Sequence, residues 1–369
     1  MTAPMPTGIS QTTVKSDRAT RAYQDFLLGT KLFWTRRLYN EMRQEFQERV
    51  STRGGQEPAT FQETEKMMEG TLNSFFGWFE RHIQRLKYSD KQHGLVAAVN
   101  RQRDQLLEAL DGATRNADEH LRLNPNVEVP HYYEAVDFHQ HPGGVAGDDL
   151  AGFVYEYGRK TTTPNHIHED DLHFRKVAVA PKADFKRILD FGCGVGKSTY
   201  PFKDLYPEAE VYGIDISAPC LKLAHLRAKE TGREIFYSQQ NMEQTDFPDD
   251  YFDLIHTTFI QHEFPAKALE KITREAFRIL KPGGYYLNLD FHSAPGGAFG
   301  KFMYFGHSKR NNEVFMRAFH DSDYIGLLRE IGFTTAEMQP FDDGTGLITD
   351  SKTVPQNWRF PWQLFVAQK

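Results

Sequence analysis

The chain has 369 residues, a formal net charge of −6 and a hydrophobic fraction of 39%, enough apolar content for packed cores in two or three domains. Its acidic balance gives no electrostatic footprint for nucleic acid or an anionic membrane, and no run approaches the ~18 apolar residues of a spanning helix. Two cysteines, Cys193 and Cys220, argue against a disulfide framework and fit a reducing, cytoplasmic setting.

Residues 1–20 are rich in Ser, Thr and Pro and lack the apolar core of a signal peptide, so a disordered tail is expected there. From 21 to 50 the apolar positions Tyr23, Phe26, Leu27, Phe33, Trp34, Leu38, Met42 and Phe46 recur at three- and four-residue steps, the signature of one amphipathic helix or two broken near Gly29. Gly54-Gly55-Gln56-Glu57-Pro58 ends it. A second helix over 60–86 carries Met67, Met68, Leu72, Phe75, Phe76, Phe79 and Ile83, and a third is expected over 93–121. No strand pattern precedes Pro125. Residues 21–125 therefore read as a helical unit that packs its aromatic face inward, caps a site, or pairs with a second copy as a homodimer.

The connector, 126–180, is polar and rich in glycine, with histidines at His139-Gln140-His141, His166-Ile167-His168 and His173 and acids at Asp148-Asp149 and Glu169-Asp170-Asp171. Its place just before the next strand suggests a lid from which His139, His141, Tyr155 and Tyr157 reach a site. The histidine spacings match no zinc motif, so no metal is expected.

At residue 187 the pattern changes. Ile188-Leu189 reads as a buried strand, followed by Asp190-Phe191-Gly192-Cys193-Gly194-Val195-Gly196-Lys197-Ser198. The dinucleotide fingerprint needs glycine where Lys197 stands, and a P-loop ending in Gly196-Lys197-Ser198 needs glycine at Phe191. A second strand, Glu210 to Ile214, ends in Asp215, placed to accept two ribose hydroxyls at a sheet's switch point. Asn241-Met242-Glu243 and an aspartate-opened strand at Asp253-Leu254-Ile255 come next. Arg278-Ile279-Leu280-Lys281-Pro282-Gly283-Gly284 then stops a helix and opens a strand.

Asp-x-Gly-x-Gly-x-Gly with these spacings resembles the first motif of class I S-adenosylmethionine-dependent methyltransferases of the small-molecule type, over roughly 183–369. The resemblance implies an α/β fold: a Rossmann-like seven-stranded sheet over 181–369, with the helical unit and lid before it. It implies S-adenosyl-L-methionine as cofactor, held by Asp190, Gly192, Cys193, Gly194, Gly196, Asp215, Ile216, Asn241, Met242, Glu243 and Thr257. The segment His256-Thr257-Thr258-Phe259 lacks the Asn/Asp-Pro-Pro-Tyr/Phe signature of enzymes that methylate base nitrogens. With the acidic charge, that leaves a small-molecule substrate, its accepting O, N, C or S atom undecided. Methyl transfer from a sulfonium needs in-line positioning and exclusion of water, and a base only where the acceptor must lose a proton. His262, after the fourth strand, His292, after the fifth, and Tyr157 are the catalytic candidates, imidazole because it titrates near neutral pH. The rival reading is a cofactor-binding scaffold or regulatory partner without catalysis.

Overall fold

A computed structural model describes residues 12–115, 117–159, 171–350 and 352–369. The amino-terminal helices are α1 (Arg18–Phe33), continued by a π-helical turn at Trp34–Leu38, then α2 (Tyr39–Thr52), α3 (Phe61–Met67), α4 (Leu72–Ser89), α5 (Leu95–Asn100) and α6 (Arg103–Thr114). Side-chain caps fix where two of them begin. Asp17 accepts from the Thr20 amide at 2.6 Å to open α1, inside the stretch expected to be disordered, and Thr60 accepts from the Glu63 amide at 3.2 Å to open α3. The single helix expected over 60–86 is split around Gly70, whose φ is +73°. One short strand, β1 (Leu121–Arg122), stands where none was expected.

The connector contains α7 (His131–Glu134), α8 (Ala151–Arg159) and α9 (Asp171–Val179). His166 and His168 lie outside the described residues. The sheet domain then alternates β2 (Arg187–Phe191), α10 (Tyr200–Leu205), β3 (Glu210–Asp215), α11 (Ala218–Glu230), β4 (Phe236–Gln239), β5 (Phe252–Thr258), α12 (Ala266–Ile279) and β6 (Leu280–Phe291). It closes with α13 (Gly297–Arg310), α14 (Met316–His320), α15 (Tyr324–Ile331), β7 (Thr335–Pro340) and β8 (Trp362–Gln368).

The strand order is β1-β4-β3-β2-β5-β6-β8-β7, parallel except for β8, which is antiparallel to both neighbours. Seven strands form the expected doubly wound sheet, and β1 adds a two-residue edge. Alternation along the strands feeds two cores. Ile188, Val211, Leu254 and Leu287 face one side, and Leu189, Ile214, Ile255 and Tyr286 the other. Pro282-Gly283-Gly284 lies inside β6 rather than in a hairpin before it. Leu280 pairs with Phe252 and Tyr285 with Leu254, and the three residues make up the register shift between them.

The amino-terminal helices share their cores with the sheet domain. Trp34, Met42, Phe46 and Phe76 pack with Phe299, Phe302 and Met303 of α13 and with Trp358, and Trp34 stacks on Phe76 at 4.3 Å. Leu106, Leu110 and Ala113 of α6 pack with Leu223 and Leu226 of α11. A polar bridge crosses the same boundary: the buried Glu80 of α4 bonds His307 Nδ1 at 2.6 Å and the Arg310 guanidinium. Trp34→Ala should therefore lower whole-chain stability by about 3–5 kcal/mol while leaving cofactor affinity unchanged. Paired denaturant melts and calorimetry test this, and an unchanged melt would mean the helices are not part of the common core. The expected aromatic face turns outward in part, since Phe26, Phe33, Phe75 and Phe79 are exposed.

Candidate active site

Glycine punctuation builds the floor of the site. The loop after β2 carries positive φ at Gly192 (+87°), Gly194 (+51°) and Gly196 (+80°), backbone that other residues adopt only under strain. Crowding adds to this at two of them. A Cβ on Gly192 would stand 2.5 Å from Ile260 Cδ1, and one on Gly196 would stand 2.6 Å from the Tyr237 hydroxyl. At the end of β3, Asp215 accepts from the Gly194 amide at 2.8 Å and the Ser217 amide at 2.8 Å. It thereby ties the loop to the start of α11 and keeps lone pairs for a ligand.

Above this floor lies a cavity at whose base stand Gly192, Gly194, Asp215, Ile216, Asn241 and Met242. The opposite wall comes from the connector and from α4: Tyr88, Tyr132, Tyr133, Phe138, His139 and Tyr155, with Phe264 and Glu263 beyond the end of β5. The connector is held down at several points. Tyr132 donates to Glu243 at 3.0 Å, Gln84 Nε2 donates to the His139 carbonyl at 3.0 Å, and Glu156 of α8 receives Arg227 of α11 through two bonds of 2.9 and 2.7 Å.

Five of the expected cofactor residues do not line the cavity. Asp190 lies fully buried beneath the loop, where one carboxylate oxygen accepts from Ser198 and Thr199 at 2.6 Å each. It shapes the turn from below, and burial lifts its carboxyl to about 6. Cys193 is buried against the core. Gly196 is enclosed by Tyr200 and Tyr237. Glu243 is held between Tyr132 and Lys271. Thr257 is buried and donates to Asn288 at 2.8 Å, while the next residue, Thr258, reaches the cavity.

The catalytic candidates also stand elsewhere. Tyr157 turns away from the cavity to a short hydrogen bond with Ser16. His292 bonds Ser293 at 2.8 Å and lies among Phe319, His320 and Phe365. His262 is buried behind the wall, its Nδ1 donating to Asp290 at 2.6 Å. Burial pulls its pKa down, but the Asp290 charge and hydrogen bond outweigh that and hold it at about 9. That raised pKa favours the imidazolium at neutral pH, the charged form that pairs with Asp290.

The connector supplies the imidazoles that do face the cavity. His139 sits at φ +56° with Nδ1 2.6 Å from Glu313 and Nε2 3.2 Å from Glu263. Burial depresses its pKa, yet the two carboxylates raise it to about 10. The carboxylates meet opposite ring nitrogens, so the protonated ring is clamped between two acids; the same three residues each offer one ligand atom within 4.8 Å of the others. His141 stacks on Tyr88 at 5.1 Å, and burial with the nearby His139 and Lys87 charges takes it down to about 4. It is a neutral imidazole in the cavity, its Nδ1 buried without a partner. The histidine pair was visible in sequence, but Glu313, about 170 residues downstream of it, gave no local signal.

Residues 188–284 match the family described as a methyltransferase domain. Similar proteins include the demethylmenaquinone methyltransferase of Thermus thermophilus, 36% identical over 35% of this chain and 59% of that protein. The sterol 24-C-methyltransferase of Yarrowia lipolytica is 28% identical over 54% of each chain. A ubiquinone/menaquinone biosynthesis C-methyltransferase of Photorhabdus laumondii is 33% identical over 40% of this chain and 62% of that protein. The chain thus spans little more than half the length of these relatives. Its own residues fit the nucleoside of such an enzyme's cofactor: side-chain-free backbone at Gly192 and Gly194, a carboxylate at Asp215, and a pocket of Ile216, Gln240, Asn241 and Met242. The chain carries a class I S-adenosylmethionine-dependent methyltransferase domain, and S-adenosylmethionine is its cofactor.

Proposed function

We propose that this chain transfers a methyl group to a carbon atom of a small, largely apolar acceptor bound between the glycine floor and the aromatic wall. The observation that carries the reading is the cavity's composition opposite Gly194. Six aromatic side chains, Tyr88, Tyr132, Tyr133, Phe138, Tyr155 and Phe264, surround a few polar groups, chiefly Glu263, His139 and His141. Two of the relatives above bear names of C-methyltransferases, and the third is named for demethylmenaquinone, which agrees with an apolar ring-bearing acceptor.

Bound S-adenosylmethionine supplies an electrophilic methyl on a sulfonium. The chain's share is to aim it and to handle one proton. The aromatic wall excludes water and orients the acceptor for in-line attack. The unpartnered Nδ1 of His141 accepts a hydrogen bond from an acceptor hydroxyl, which enriches the carbon under attack. As the new carbon–carbon bond forms, the sulfur–carbon pair stays on sulfur, and the proton displaced from the methylated carbon passes to the Glu263 carboxylate.

Turnover with a carbon-13-labelled methyl donor, offered against a reduced naphthoquinone, a sterol and a hydrophilic catechol, tests the reading. Label on carbon of an apolar acceptor is the expected result, with Glu263→Gln lowering kcat by about 10²–10⁴. Label on oxygen or nitrogen, or transfer to the catechol alone, would overturn it.

A further inference from the structure

Helices α1 and α4 run antiparallel, as the contacts of Gln24 with the Lys87 carbonyl at 3.3 Å and of Trp34 with Phe76 require. Their inner faces are filled by Leu27, Trp34, Phe76 and Tyr88. Their outer faces should then be polar, and they are not. Phe26 (68% exposed), Phe33 (52%), Phe75 (70%), Trp78 (59%), Phe79 (50%) and Leu86 (43%) all face outward. On α4, Phe75, Phe79 and Leu86 recur at helical steps of four and seven, a continuous stripe.

The charge around this stripe is mostly positive. Arg81 and Arg85 stand three and seven residues after Trp78, along the stripe's flank. Arg18, Arg21 and Arg36 are exposed on α1 and its continuation. The one acid of α4, Glu80, is turned inward to His307 and Arg310, and Asp25 is the exposed acid of α1. Aromatic side chains bordered by arginines match the boundary of an anionic bilayer, where rings enter the acyl edge and guanidinium groups remain among the headgroups. A second copy would bring like charges together across the same face, which disfavours it as occupant.

We propose that the outer face of α1 and α4 docks this protein on anionic lipid membranes as a peripheral, non-spanning contact. Among the described residues no helix is long and apolar enough to cross a membrane. Tyr88 at the end of α4 lines the cavity, so docking sets the cavity wall close to the lipid surface. The surface stands independently of which acceptor is methylated. The chain's net charge of −6 conceals it, because a net charge sums over every face.

Trp78 makes a direct test available. Of the four tryptophans, Trp34, Trp358 and Trp362 are buried, so fluorescence quenching by brominated acyl chains reports Trp78. The full-length protein is mixed with phosphatidylcholine vesicles with and without phosphatidylglycerol, at low and high salt. We expect co-sedimentation and quenching on the anionic vesicles, weakened by salt. R81Q/R85Q should weaken this roughly tenfold or more, and F75S/F79S should abolish it, with S-adenosylhomocysteine affinity and melting temperature unchanged in both variants. Absence of binding to anionic vesicles would overturn the proposal. So would a dimer in solution that F75S/F79S dissociates, which would assign the face to a second copy.

Discussion

Asp215→Ala should weaken S-adenosylmethionine binding roughly ten- to a hundredfold, the value of about 1.5–3 kcal/mol for a charge-assisted acceptor. The carboxylate has two tasks, and both contribute. It lines the cavity with lone pairs free for ribose hydroxyls, and it holds the Gly194 and Ser217 amides that set the loop's shape. Asp215→Asn separates them. Its amide oxygen can still accept one backbone N–H, so the loop is partly kept while the charge is lost, and an affinity between wild type and alanine is expected. Burial raises the Asp215 carboxyl above its ordinary value, partly opposed by the two amides, so binding should weaken as pH falls through the acid range. Isothermal calorimetry of the three proteins with S-adenosylhomocysteine measures these effects. Equal affinity for all three would show that the ribose lies elsewhere.

How much of this was legible in the chain depends on how local each signal is. The floor is written in consecutive residues: glycines at alternate positions, an aspartate one strand later, a proline–glycine–glycine stop. Each of these imposes its own backbone geometry whatever surrounds it. The sheet's architecture, though not its strand order, followed from the resemblance these residues carry. Side-chain direction was not legible. Asp190 and Thr257 sit in the right motif yet do not line the cavity, because the residue that faces a cavity is fixed by strand register, and one step along a strand reverses it. Thr258 faces the site for that reason. The amino-terminal helices gave a correct period, but the helix expected over 60–86 is split around Gly70. Hydrophobic spacing shows that a face is apolar but not what it meets, so the packing of Trp34 on Phe76 and the exposure of Phe75 looked alike. The wall facing the glycine floor was least legible of all, since the clamp behind it joins His139, Glu263 and Glu313 from three distant segments.

That clamp yields the second large effect. Glu313 is buried, and among the described residues its charge is answered by His139 at 2.6 Å and His262 at 3.6 Å. Burial alone would raise its carboxyl, but the two imidazolium charges hold it down at about 2. Its contribution to stability is therefore present above the unfolded value of 4.5 and is lost as pH falls through about 2. The histidines carry the opposite sign. Their pKa values are raised from 6.5, so their contribution is fully present below pH 6.5. It is lost as pH rises through about 9 for His262 and about 10 for His139. The connector should thus be held most firmly from about pH 4.5 to 6.5 and released on the alkaline side. Glu313→Gln removes the largest attraction on His139 and leaves an imidazole facing an amide. Losing one partner of a buried ion pair costs about 3–5 kcal/mol, a fall in Tm of roughly 4–6 °C for a chain of this length. The alkaline decline in Tm should flatten in the variant, because His139 then titrates nearer its ordinary range in both folded and unfolded states. Melting curves from pH 6 to pH 10, with carbon-13 titration of the His139 ring, read both effects. If Glu313→Gln followed the wild-type pH curve with an unshifted His139, the clamp would not be what holds the connector over the cavity.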